Sequence, residues 1–391
     1  MKRREFLMMA ATGASLSVPR VFGALPACGG TSSQLDARAT APDNRGQLLI
    51  LIELKGGNDG LNTVVPFADS AYYTLRKHIA IARDRAIALD ERTALHPALR
   101  GLLPIWQSGR LAVVQGVGCA QDNPSHFRSM EVWDTAARAN VYRRDGWLTR
   151  ALDHWPATRP RIVTASFGCV EAGPFAGLPA NEGRGDAWAR VADPDDAPYV
   201  DGMDADPGAG DPVSRDAPDA SRVLSHDARG FRESIEAALR TVVDAASPDA
   251  CGAIRLTLDG FDTHGNQPAR HAALLGELAH GCATLQAELM RRGRWDRTLI
   301  MTYSEFGRSA HENANRGTAH GGAAAHFMMG GPVRGGLYGA APDLTRLDAD
   351  GRLPVAIDFR RLYATALGPF LRLDAIAVLE DDVKPLPLLR A

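Results

Sequence analysis

Leu48-Leu-Ile-Leu-Ile-Glu-Leu54 is a near-continuous apolar run that opens directly into Lys55-Gly-Gly-Asn-Asp59-Gly-Leu-Asn62. An apolar run without alternation is the pattern of a central strand buried on both faces, here running into a glycine loop. Strands of that kind belong to parallel sheets covered by helices. Asp59 and Asn62 then stand at the strand's carboxyl end.

The same pattern recurs downstream. Arg110–Val117, Arg161–Ser166, Ile254–Leu258 and Arg297–Thr302 read as further strands. Between them lie helical stripes: Phe231, Ile235, Leu239 and Val242 on one, and Leu274, Leu278, Cys282, Leu285 and Leu289 on a longer one. A short helix from His96-Pro97 to Trp106 precedes the second strand, and another spans Phe359–Leu367 with Leu362, Tyr363 and Ala366 inward. This alternation predicts an α/β fold with a doubly wound, mostly parallel sheet flanked by helices. The first strand, its helical crossover and the second strand suggest a right-handed parallel unit. Ser309–Gly317 reads as a polar loop and Thr318–Gly322 as a turn.

With 391 residues, 45% of them apolar, the chain can bury a sizeable core. The net charge is −2, and Lys and Arg are scattered rather than gathered into a stripe, which argues against nucleic acid as a partner. Five cysteines show no CxxC spacing and so no zinc-knuckle pattern.

Lys2-Arg3-Arg4-Glu5-Phe6-Leu7 leads a mildly apolar run, the pattern of a twin-arginine signal over residues 1–28. That run is too short for a spanning helix, which needs roughly 20 apolar residues, so no transmembrane span is expected. Cys28 follows Leu25-Pro-Ala and is a candidate lipid anchor. Residues 29–46 read as a linker and 47–391 as one domain, with a flexible Asp/Ala/Pro/Gly-rich insertion around 193–227. The mature protein is expected to be periplasmic or secreted.

Three stretches carry chemistry: Asp262-Thr-His264, Glu305-Phe-Gly-Arg308 and His320 within Gly317-Thr-Ala-His-Gly321. Side chains at i and i+2 of an extended segment share a face, so Asp262 and His264 can act together. Their bland counterparts are a hydrogen-bonded pair at Asp262 and His264 and an ion pair between Glu305 and Arg308. Ser125 follows Asn-Pro and precedes a helical pattern. It is either an N-cap or a nucleophile at a helix N-terminus, where unpaired N–H groups favour negative charge. His126 alone reads as a half-buried histidine satisfied by a neighbouring carbonyl.

Taken together, Leu54-Lys-Gly-Gly-Asn-Asp-Gly-Leu-Asn62, Ser125-His-Phe127 with Trp133, Gly260-Phe-Asp-Thr-His264 with Gln267, Ser304-Glu-Phe-Gly-Arg308, Gly317-Thr-Ala-His-Gly321, Gly335-Gly-Leu-Tyr-Gly339 and Asp358-Phe-Arg360 resemble the DUF1501 family. That family comprises twin-arginine-exported bacterial proteins distantly similar to the alkaline phosphatase and sulfatase superfamily. The resemblance implies divalent metal, zinc or calcium, and a serine nucleophile at a helix N-terminus. It assigns Ser125 as nucleophile and Asp59, Asp262, His264, Glu305 and His320 as metal ligands. Arg308 would then steady charge on the equatorial oxygens. Two departures from the superfamily stand out: Glu305-Phe306 replaces an Asp-His pair, removing an imidazole, and the Asp262–His264 spacing is tight.

The expected function is therefore exported, metal-dependent hydrolysis of a small anionic phosphate or sulfate ester, glycan-linked ones included. The alternative is an exported binding or assembly module that keeps the fold and a structural metal and grips an anionic glycan or a protein partner.

Overall fold

A computed structural model describes residues 45–119, 125–160, 162–178, 230–244 and 249–390. The twin-arginine segment, Cys28, nearly all of the linker and the 193–227 insertion lie outside the described residues. No described helix is long and apolar enough to cross a membrane.

In chain order the strands are β1 (Leu48–Leu54), β2 (Val64–Val65), β3 (Ile87–Ala88), β4 (Ala94–Leu95), β5 (Leu111–Gly118), β6 (Ile162–Phe167) and β7 (Cys251–Leu258). Then follow β8 (Thr298–Tyr303), β9 (Arg308–Glu312), β10 (Thr318–His320), β11 (Ala324–Met329), β12 (Gly336–Tyr338) and β13 (Ile357–Asp358). The helices are α1 (Gly60–Thr63), α2 (Ser70–Leu75), α3 (Leu103–Gln107), α4 (His126–Thr135), α5 (Trp147–Asp153), α6 (230–238), α7 (Gln267–Arg291), α8 (Arg360–Thr365) and α9 (Ala375–Leu379).

The main sheet has the order β12-β5-β11-β8-β1-β7-β6, with β13 also on β5. β1 runs parallel to both β7 and β8, and β6 is parallel to β7. β1 is buried along its whole length, and its side chains alternate between two cores. Leu48, Ile50, Ile52 and Leu54 face a core shared with α3, α6 and α7. Leu49 and Leu51 face a second core shared with α4, α5, α8 and α9. Helices therefore cover both faces, and the mostly parallel α/β sheet expected from the apolar runs is present.

The expected parallel unit differs in one respect. β5 points the same way as β1 but is not its neighbour, because β8 and the antiparallel β11 lie between them. Residues 309–322, expected as polar loop and turn, hold all but the first residue of the antiparallel pair β9–β10. β9 is buried at Arg308–Ala310 and open only from His311 onward. Its polar composition reflects what its side chains hold rather than exposure.

One apolar expectation also needs correcting at its end. Glu53, inside the β1 run, is fully buried and takes hydrogen bonds from Arg255 (2.6 Å) and Thr257 (2.7 Å) on the neighbouring β7.

Candidate metal centre

The carboxyl ends of β1, β7 and β8 meet because their loops approach without Cβ atoms in the way. Gly56 has φ +113°, and a Cβ there would sit 2.4 Å from the Asp262 amide nitrogen. Gly57 has φ +85°, and its Cβ would strike the Phe306 ring. Only glycine adopts this backbone at no cost while admitting such neighbours.

Arg308 ties these loops together. It is 1% exposed, and its guanidinium donates to the carbonyls of Gly57 (2.8 Å), Gly56 (2.5 Å), Phe261 (3.0 Å) and Thr318 (3.1 Å). It also pairs with Asp262 at 2.5 Å. Expected to face substrate oxygens or to pair with Glu305, Arg308 instead turns all three of its nitrogens into the protein.

Asp59 is similarly committed. It caps α1, accepting from the backbone N–H of Leu61 and Asn62. It also pairs with the buried Arg76 at 2.6 Å and accepts from Gln267. Burial opposes its ionisation, yet Arg76 outweighs that and holds the carboxyl below its ordinary value. Asp59 thus supports the loop and is not part of the cluster of donor groups formed by His126, Asp262 and His320.

That cluster centres on Asp262. His264 Nε2 lies 2.9 Å and His320 Nε2 3.3 Å from Asp262 Oδ1, while His126 Nε2 lies 3.6 Å from Oδ2. His264 and His320 bring their Nε2 atoms within 3.0 Å of each other. Donor atoms of His126, Asp262 and His320 all fall within 4.8 Å of one another. Beneath them lies the Phe306 ring, 4.4 Å from His320 and 4.9 Å from His126 between centroids.

Phe306 therefore does not leave the site short of an imidazole. His126, read from sequence as satisfied by a carbonyl, supplies one from the first residue of α4. Its Nδ1 sits 2.9 Å from Glu305 Oε1, which also accepts from the Gly56 amide at 2.8 Å. The Glu305 hydrogen bond raises the His126 pKa. Asp262 is shifted the other way: partial burial works against its charge, but Arg308 prevails and lowers its pKa. The only hint of His126 in the sequence was its place beside Ser125.

Ser125 is exposed and is the N-cap residue of α4, but its side chain makes no cap hydrogen bond. Its hydroxyl is not spent on the role that Ser most often plays there.

Residues 247–381 match the DUF1501 family, described as a protein of unknown function. The DUF1501 match contains Asp262, His264, Glu305, Arg308 and His320, while Asp59, Ser125 and His126 precede it. Among curated proteins none matches the chain. Solved structures similar to it include an alkaline phosphatase superfamily protein from Vibrio parahaemolyticus, at 10% identity and TM-score 0.40, covering 88% of this chain and 70% of that one. A phosphonate monoester hydrolase from Silicibacter pomeroyi is similar at 10% identity and TM-score 0.45, covering 87% and 76%. The integral membrane lipooligosaccharide phosphoethanolamine transferase of Neisseria meningitidis is similar at 9% identity and TM-score 0.42, covering 85% of this chain and 55% of its own. These are likenesses of fold and transfer no residue role.

Proposed function

We propose that the protein is an exported hydrolase of phosphate or sulfate esters, with a metal held by His126, Asp262 and His320 and with Ser125 as nucleophile. The observation that carries this reading is the convergence of those three donor sets within 4.8 Å. Export rests on the Arg3-Arg4 segment of the sequence.

Two imidazoles and a carboxylate form a donor set suited to zinc, whereas calcium takes about six to eight oxygens. Glu305 then acts one step back. By accepting from Nδ1 it fixes the His126 tautomer, turns Nε2 toward Asp262 and raises the ring's basicity. His264 is close enough to Asp262 and His320 to serve as a further ligand or to hold the other two. When bound, zinc would supply Lewis acidity toward an ester oxygen and lower the pKa of a nearby hydroxyl.

The chain's own part is positioning. Ser125 Oγ, at the positive end of α4, would form a bond to phosphorus or sulfur as the bond to the leaving alcohol breaks. The alcohol leaves with a proton, and water later releases the acid from the serine. Asp59 and Arg308 build the loops and touch no reacting atom.

The second reading, a binding or assembly module with a structural metal, is favoured by the inward commitment of Arg308, which withholds its own guanidinium from the developing charge. Hydrolysis of aryl phosphate and aryl sulfate by the zinc-loaded protein separates the two. Turnover that Ser125→Ala abolishes while metal content stays unchanged supports the enzyme. Stoichiometric metal without turnover of either ester supports the module.

A further inference from the structure

β5 and β11 pair antiparallel, but their register slips: Ala324 faces Val117 and His326 faces Val114. Gln115 and Gly116 therefore stand opposite Ala325 alone, which is the residue count of a β-bulge. Gly116 has φ +72°, a left-handed conformation that suits glycine. Bulges re-aim the side chains beside them.

Here the side chain concerned is Gln115, which is 4% exposed. It lines a cavity of ≈150 Å³. Its amide makes no hydrogen bond to another described side chain or backbone group and is not among the fully enclosed polar atoms, so it opens onto the cavity. The floor is made of small or apolar groups, Gly60, Leu61, Val64 and Ala325 among them, and the exposed Ala340 and Ala341 form the mouth. The one charged lining residue is Asp343, whose carboxylate accepts from the Thr345 amide (3.0 Å) and hydroxyl (2.6 Å).

We propose that this cavity is a binding site for a neutral, ring-sized organic molecule bearing one hydrogen-bonding group, which pairs with the Gln115 amide. Three features select that class. An apolar cavity of about this volume accepts a benzene-sized ring. The Gln115 amide, open to the cavity, offers a mostly apolar space its hydrogen-bond donors and acceptor. With a carboxylate and no cation in its lining, the cavity disfavours anions. Its lining contains none of Ser125, His126, Asp262 and His320, and its occupant is not the anionic substrate of the proposed ester site.

Phenol and toluene titrated into the full chain, followed by calorimetry and thermal melting, test this directly. Phenol should saturate a single site about tenfold more tightly than toluene. Gln115→Leu should abolish that preference while keeping toluene binding. Ala341→Trp, at the exposed mouth, should block both ligands without changing the melting of the unliganded protein. It carries the test alone if Gln115→Leu does not fold. Equal affinity for the two ligands, binding that survives Ala341→Trp, or no saturable binding would overturn the proposal.

Discussion

His126 Nδ1 lies 2.9 Å from Glu305 Oε1, and on its far side the same ring turns Nε2 toward Asp262 at 3.6 Å. A carboxylate behind an imidazole with another carboxylate in front is the geometry by which proteins orient histidine ligands. Under the proposed metal reading, Glu305 supports a ligand instead of being one, and the start of α4 joins the site.

Arg308 is the residue on which the assembly of loops depends. Replacing it with Met leaves four buried carbonyls and the Asp262 carboxylate without their donor. Stability should fall by at least about 3 kcal/mol in urea unfolding, with loss of metal retention. A variant weakened by less than about 1 kcal/mol that still holds metal would contradict this role.

Arg76 and Asp59 form a fully buried pair. Arg76→Met strands a carboxylate in the interior, which should cost roughly 3–5 kcal/mol. Adding Asp59→Asn should recover a substantial part, because the uncompensated charge is then gone. A double variant as unstable as the single one would mean that Asp59 is not kept ionised by Arg76.

Asp134, on α4, is pushed up to about 8 by burial, and its Oδ1 has no partner among the described residues. Its folded pKa thus lies above the unfolded value of 3.8. The unfolded chain releases this proton first, so the contribution is intact below that value, erodes as pH rises and is fully lost above about 8. Asp134→Asn should flatten the decline, gaining at least about 1 kcal/mol relative to the parent at the alkaline end. Parallel stability curves for the two proteins would show that the carboxyl is already solvated.

Much of the fold was legible because β1 and α7 declare themselves by burial. Leu48–Leu54 is hydrophobic on both faces, and Leu274, Leu278, Cys282, Leu285 and Leu289 keep a helical period that the structure buries. Strand direction was not legible: Ala324–Met329 is an apolar run like the others, yet it lies antiparallel between β5 and β8. Nothing in local hydrophobicity encodes that choice.

The clustering was legible at Asp262, His264 and His320, which the structure brings together around one carboxylate. It was not legible at Asp59 and Arg308. Their residue types suit ligands and anion binding, and only the tertiary positions of Arg76 and of the four carbonyls show them committed inward. Conversely, His126 reads as an ordinary histidine until Glu305, 179 residues away, is seen to hold it.

The central claim is that His126, Asp262 and His320 bind one metal ion. Anomalous diffraction at the zinc edge, from crystals of zinc-loaded protein, tests it most directly. The account predicts a single strong peak within bonding distance of His126 Nε2, an Asp262 carboxylate oxygen and His320 Nε2. No peak there, or an ion bound instead at Asp59, would contradict it.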